Sequence, residues 1–348
     1  MNDDDARPVV RLLAADRAAD WDDFVAQREE ATFFHRTAWQ EVIGQSFGHQ
    51  THYLYAERNG TITGVLPLVH IASRLFGNSL ISNAFCVYGG PVARDEASLA
   101  ALDEAAVALR DRLGADTLEY RQRARRHPAW PCRDDLYATF RRTIAADPET
   151  NLKAIPRKQR AVIRQSLARG LTIAADDGID RFFALYALSV RNLGTPVFAK
   201  RYFHNLKQAF GVACEILIVE HGGTPVCGAM SFYFRDEVLP YYAGASPAAR
   251  RLGAYDFMYW HLMREAGLRG CTIFDFGRSK HGTGAFAFKK NWGFAPQPLF
   301  HEYRLKPGRA IPDINPLNPR YRLFIAAWKR LPLPIANTIG PLIARDLG

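Results

Sequence analysis

Cys214-Glu-Ile-Leu-Ile-Val-Glu220, His221-Gly-Gly-Thr224 and Pro225-Val-Cys-Gly-Ala-Met-Ser-Phe-Tyr-Phe234 follow one another in the chain. Two β-rich runs flank a short glycine-bearing stretch, which predicts an antiparallel hairpin. Working outward, Glu237–Ala245 reads as a third strand, Ala254–Leu268 as a helix and Thr272–Phe276 as a fourth strand. Upstream, Ile179 to Phe210 reads as mostly helical, broken at Gly194-Thr-Pro196. Glycine and proline together punctuate a helix there.

The same order occurs earlier in the chain. Asp16 to Arg28 reads as a short helix, and Thr51–Arg58, Asn59-Gly60 and Thr61–Ile71 as a hairpin. Leu80–Val92 is a further strand region, Ala97 to Leu113 a helix and Thr117–Arg121 a short strand. Helix, hairpin, strand, helix and strand therefore occur twice, although the two halves share little sequence. This predicts an α/β (α+β) chain with residues 1–150 as one domain and 171–310 as a second that carries the main site. Residues 151–170 form a basic connecting helix and 311–348 an amphipathic tail. The order resembles the core of the GNAT (acyl-CoA N-acyltransferase) fold, which implies two tandem GNAT-like domains.

The chain has 348 residues, and its net charge of +10 favours an anionic partner. Its five cysteines form no C-x-x-C pair and fit free thiols in a reducing compartment. No zinc site is readable. The acidic start, Met1-Asn-Asp-Asp-Asp5, has no apolar segment behind it, and no apolar run approaches the ~20 residues of a membrane span. A cytoplasmic protein is expected. Dinucleotide-binding, Walker A, serine-elbow and kinase motif sets are absent.

Between the halves lies Asn151-Leu-Lys-Ala-Ile-Pro-Arg-Lys-Gln-Arg160, continuing to Gly170. Lys153, Arg157, Arg160 and Arg164 fall near one face at helical spacing, with Lys158 beside them and no acid between Lys153 and Arg169. Either a solvated face or a polyanion contact accounts for this pattern.

Thr272-Ile-Phe-Asp-Phe-Gly-Arg-Ser-Lys280 and Gly282-Thr-Gly-Ala-Phe-Ala-Phe-Lys-Lys-Asn-Trp-Gly-Phe294 carry the densest chemistry. A strand ends at Asp275 and breaks into Gly277, Arg278, Ser279 and Lys280, where α/β folds place their sites. Arg278, Lys280, Lys289 and Lys290 are the candidate partners of Asp275, which either acts chemically or organises the loop. Tyr241-Tyr-Ala-Gly-Ala-Ser-Pro-Ala-Ala-Arg-Arg-Leu-Gly-Ala-Tyr-Asp256 leads a strand into a helix. Arg250 and Arg251 with helix N–H groups would make an anion site. In GNAT enzymes this location holds the cofactor pyrophosphate. Arg250-Arg-Leu-Gly253 resembles the first part of their signature, while Tyr255 stands where that signature has a small residue.

Taken together, Asp275-Phe-Gly-Arg-Ser-Lys280, Phe288-Lys-Lys-Asn-Trp-Gly-Phe294, Ile155-Pro-Arg-Lys-Gln-Arg160 and Ser189-Val-Arg-Asn-Leu-Gly-Thr-Pro196 resemble the FemAB-type proteins of the XrtA/PEP-CTERM (exosortase) systems. The resemblance implies transfer of an acyl or aminoacyl group to an amine or hydroxyl, in exopolysaccharide or cell-envelope biosynthesis. It implies no tightly bound cofactor and a donor that is either aminoacyl-tRNA or acyl-CoA. No sustained heptad arm of the kind many such enzymes carry is present.

On this reading Asp275 is the base or amine orienter, Lys289 stabilises the oxyanion, and Asp256 completes the catalytic set. The substrate and donor surface comprises Arg250, Arg251, Gly253, Tyr242, Tyr255, Gly277, Arg278, Ser279, Lys280, Lys290 and Trp292. Arg157, Lys158, Arg160 and Arg191 extend it. The partners expected are an anionic donor, tRNA among the candidates, and a saccharide or peptide acceptor. The tail, with Phe324, Ile325, Trp328 and Leu331 near Arg322, Lys329 and Arg330, fits either an interfacial contact with anionic membrane at the inner face or packing across the second domain. The alternative to an enzyme is a non-catalytic adaptor that binds a polysaccharide precursor, RNA or membrane.

Overall fold

The structure, a computed structural model, describes residues 7–73, 76–312 and 322–347. The acidic N-terminus and residues 313–321 of the tail lie outside them. The chain divides into two units, and neither is a continuous stretch of sequence.

The first unit begins with β1 (Val9–Leu12), α1 (Ala18–Gln27) and α2 (Ala38–Phe47). It continues through β2 (Gln50–Arg58), β3 (Thr61–Ser73), β4 (Gly77–Ser82), β5 (Val92–Ala93), α3 (Glu96–Arg112), β6 (Thr117–Gln122) and β7 (Cys132–Arg133). Asn59 (φ 49°) and Gly60 (φ 79°) form the two-residue left-handed turn that the Asn-Gly pair favours, and they close β2 onto β3. Leu54, Leu66, Leu68, Leu80, Leu102 and Leu118 belong to its buried core, where α3 covers the sheet.

The second unit holds β8 (Tyr137–Thr143), α4 (Pro148–Ala154), α5 (Arg157–Leu167), β9 (Leu171–Ala175), α6 (Asp180–Leu193) and α7 (Lys200–Phe210). The predicted hairpin follows as β10 (Cys214–His221) and β11 (Thr224–Phe234), then β12 (Glu237–Ala245), α8 (Ala248–Leu252) and α9 (Ala254–Leu268). It continues with β13 (Ile273–Lys280), α10 (Gly284–Asn291) and β14 (Gln297–Pro298). In sequence β15 (Phe300–Leu305) follows, which joins the first unit, and then α11 (Arg322–Trp328) and α12 (Leu333–Ala344), which belong to the second.

One sheet runs β1-β2-β3-β4-β6-β15-β7, with β5 beside β3, and the other runs β14-β8-β13-β12-β11-β10-β9. Two strands therefore cross the sequence boundary. β8, from the end of the expected first domain, pairs antiparallel with β13 in the second sheet. β15, from the end of the expected second domain, pairs with β6 and β7 in the first. The expected borders at 150 and 310 are corrected accordingly: the first unit takes 299–312 and the second takes 135–150 and 322–344.

Three local expectations also change. The connecting helix is two helices, because Pro156 lacks an N–H and holds Ile155 extended (ψ 137°). The strand expected over Leu80–Val92 ends at Ser82, where Asn83 (φ 42°) and Phe85 (φ 70°) leave extended geometry. Conversely, β13 continues past Phe276 to Lys280. No helix among the described residues is long and apolar enough to cross a membrane.

Candidate active site

The second sheet opens between β12 and β13. These parallel strands pair only at Glu237↔Ile273 and Val238↔Phe274, although β12 runs on to Ala245 and β13 to Lys280. Past Val238 no further β12–β13 pair is present among the described residues.

Both walls of this wedge carry a bulge. On β12, Met230↔Tyr242 is followed by Ser231↔Pro240, so Tyr241 is the extra residue. On β13, the register against β8 shifts between Asp275 and Arg278, where Gly277 adopts φ 67°. An L side chain rarely adopts that geometry, which explains a glycine inside a strand.

Asp275 and Lys289 hold the second bulge from its two sides. The Asp275 carboxylate is buried; its Oδ1 accepts the Gly277 N–H at 2.7 Å and the Thr139 hydroxyl at 3.4 Å. Its Oδ2 lies 3.2 Å from Arg141 Nε, and Arg141 also reaches Glu237. The Lys289 amine donates to the carbonyls of Phe276 (2.7 Å), Gly277 (3.0 Å) and Arg278 (3.0 Å). Burial pushes this amine down to about 7, with Asp275 pulling the other way and Arg278 reinforcing the fall. The Lys289 amine, expected to face an oxyanion, is thus engaged by three backbone carbonyls.

Asp256 is likewise held by protein groups. Its Oδ1 accepts from Trp292 Nε1 at 3.0 Å and from Gln159. Burial raises its pKa, and the two donors oppose the rise. The carboxylate joins α5, α9 and the end of α10. Trp292, fully buried, belongs to the core with Phe276 and Phe294 rather than to a binding surface. Arg278 lies over the Tyr137 ring at 4.9 Å, Ser279 is buried in β13, and Lys280 is part-exposed at the strand's end.

At the far end of β12 the chain enters α8, with exposed Arg250 and Arg251, and passes through Gly253 into α9. Arg169, just past α5, donates to the Arg251 carbonyl at 2.6 Å and so brings α5 beside α8. On α5, Gln159, Ile163 and Ser166 face inward. Lys153, Arg157, Lys158 and Arg164 are exposed and Arg160 is part-buried. None of the five forms an ion pair among the described residues. Lys290 is exposed on α10.

Tyr242 hydrogen-bonds Tyr202 through the hydroxyls (2.8 Å), within a cluster of rings that includes Tyr186, Phe203 and Tyr241. Tyr255 is part-buried and stacks on Tyr259; burial raises its hydroxyl pKa against a hydrogen bond from Ser189. Arg191, near the end of α6, donates to the Lys329 carbonyl at 3.1 Å. Arg141, Thr139, Gln159 and Tyr202 were not among the expected residues. The alternation in Tyr137-Ala-Thr-Phe-Arg-Arg-Thr143 was the available signal for the first two. Among the described residues no group of three His, Cys, Asp or Glu is placed to hold a metal.

Residues 153–290 match the family model described as an acetyltransferase (GNAT) domain. No curated protein matches the chain. Among solved structures, the chain is similar to FemX, at 16% identity over 84% of this chain and 96% of that one, with a TM-score of 0.68. It is similar to a tandem GNAT protein from the clavulanic acid biosynthesis pathway, at 13% identity over 87% and 100% of the two chains (TM-score 0.53). It is also similar to the C-terminal domain of a putative lysylphosphatidylglycerol synthetase from Agrobacterium fabrum, at 15% identity over 83% and 92% (TM-score 0.52). At these identities the likeness shows the fold, which is mixed α/β with two tandem GNAT-like domains.

Proposed function

We propose that the protein transfers an acyl or aminoacyl group from an activated donor to an amine or hydroxyl of a cell-envelope saccharide or peptide. The observation that carries this reading is the wedge between β12 and β13. An extended donor fits there by pairing with the open β12 edge, which supplies main-chain hydrogen bonds. Arg250, Arg251 and the N-terminus of α9 are the groups suited to the donor's phosphates. The oxyanion that forms as the acceptor attacks the acyl carbon needs fixed donors, and N–H groups near the Tyr241 bulge supply that chemistry. The Asp275–Gly277–Lys289 arrangement keeps the opposite wall rigid, so that much of the rate comes from positioning. The GNAT match over 153–290 and the likeness to FemX support the reaction class.

The test is a transfer assay. The protein is incubated with acyl-CoA or charged tRNA, together with nucleotide- and lipid-linked sugars or peptides, and the acceptors are weighed by mass spectrometry. One donor class should give an acceptor heavier by one acyl group. No transfer with any pair, despite binding, would assign the chain to the adaptor class.

A further inference from the structure

The C-terminal helices are docked by one side and bare on the other. Trp328 of α11 is 3% exposed, and the Gly194 backbone lies so close to Ile325 that a Cβ there would come within 2.5 Å of its Cγ2. Arg191, at the end of α6, donates to the Lys329 carbonyl. Gly340 of α12 presses on Val197, where a Cβ would stand 2.9 Å from the Val197 N. Both helices therefore press on the same 191–197 segment, and their outer sides face away from it.

Leu323 (85% exposed) on α11 and Ile335 (48%) and Leu342 (68%) on α12 stand out to solvent, as does Leu193 (68%) at the end of α6, while Phe324 (41%) is partly exposed with its ring 5.3 Å from that of the buried Trp328. Of the ten large apolar side chains that stand exposed among the described residues, these are five. Such clustering marks an interaction site. Residues 322–344 contain Arg322, Lys329 and Arg330 and no Asp or Glu.

We infer that this docked two-helix strap is a membrane-surface site for anionic phospholipid. Apolar side chains with interspersed cations and no acids suit a negatively charged bilayer surface, where the apolar groups enter the interface and the cations meet headgroups. A second copy of the chain fits less well, because a two-fold contact would set Lys329 and Arg330 against their own copies with no acid in the patch. The inference does not depend on the transferase reading.

The test is co-sedimentation of the full chain with vesicles of phosphatidylcholine, with and without phosphatidylglycerol, at low salt. Binding should require phosphatidylglycerol. Replacing Leu323, Ile335 and Leu342 together by Ser should weaken it by about tenfold or more. The melting temperature should be unchanged, since all three are exposed. Lys329→Glu with Arg330→Glu should remove the preference for the anionic lipid. No binding at low salt overturns the inference. So does binding that neither variant alters, which would move the contact to the cations of α5. A dimer in light scattering that the Leu/Ile variant abolishes would give the face to a second copy instead.

Discussion

The carbonyls of Phe276, Gly277 and Arg278 turn toward Lys289 because the bulge takes them out of the ladder. Lys289→Met leaves three acceptors unpaired and should cost about 2–4 kcal/mol of stability. A melting temperature equal to wild type would return Lys289 to the chemistry. Asp275→Asn removes the charge that faces Arg141, and we expect a lowered melting temperature together with lost activity. Lost activity with an unchanged melting curve would mean that Asp275 acts as a base and not as a brace. His127 offers a pH-dependent case in the first unit. It bridges Asp103 (2.8 Å) and Glu302 (3.0 Å); burial lowers its pKa, but the two carboxylates prevail and raise it to about 9. The unfolded value is about 6.5. Between these values the folded state holds the extra proton, so this stabilisation is full below about 6.5 and fades as pH rises through about 9. The melting deficit of His127→Gln should be large at neutral pH and shrink above pH 9. A deficit constant with pH would contradict the assignment.

α5 keeps Gln159, Ile163 and Ser166 inward and leaves its cations in solvent. Changing Lys153, Arg157, Lys158 and Arg164 to Ala should spare the fold. It should also flatten the salt dependence of tRNA or CoA binding, by up to about 0.9 in log–log slope per lost phosphate contact. An unchanged slope would leave α5 a solvated face. The hairpins, α3, α6 with α7, and α9 were legible in the sequence because period and turn chemistry are local, as in Asn59-Gly60. β8 and β15 were not placed, because the sheet a strand joins is decided by long-range pairing. For the same reason Arg141, whose guanidinium faces Asp275, was not among the partners expected for it, while Lys289, which was, feels its charge. The carbonyl clamp of Lys289 was hidden too, since nothing local in the sequence marks a bulge's exposed carbonyls. The polar strand end at Asp275 and the arginine-bearing entry to α9 were legible as a site, and their exact duties were not.

At the scale of the whole chain, the crossed strands make sequence halves poor folding units. A fragment of residues 1–150 lacks β15 and leaves β6 without that neighbour, while it carries β8 with no sheet to join. It should aggregate or melt well below the intact chain. Cooperative folding of that fragment at the intact chain's stability would contradict the strand assignment.

The account's central claim is that the opening between β12 and β13 receives an activated acyl donor. Hydrogen–deuterium exchange of the full chain, with and without acyl-CoA and charged tRNA, tests it most directly. Slowed exchange is expected in residues 239–245 of β12, past the end of its ladder with β13, and at the start of α9 with one donor class. Exchange in those segments that no donor alters, under conditions where a donor is bound elsewhere on the protein, would contradict it.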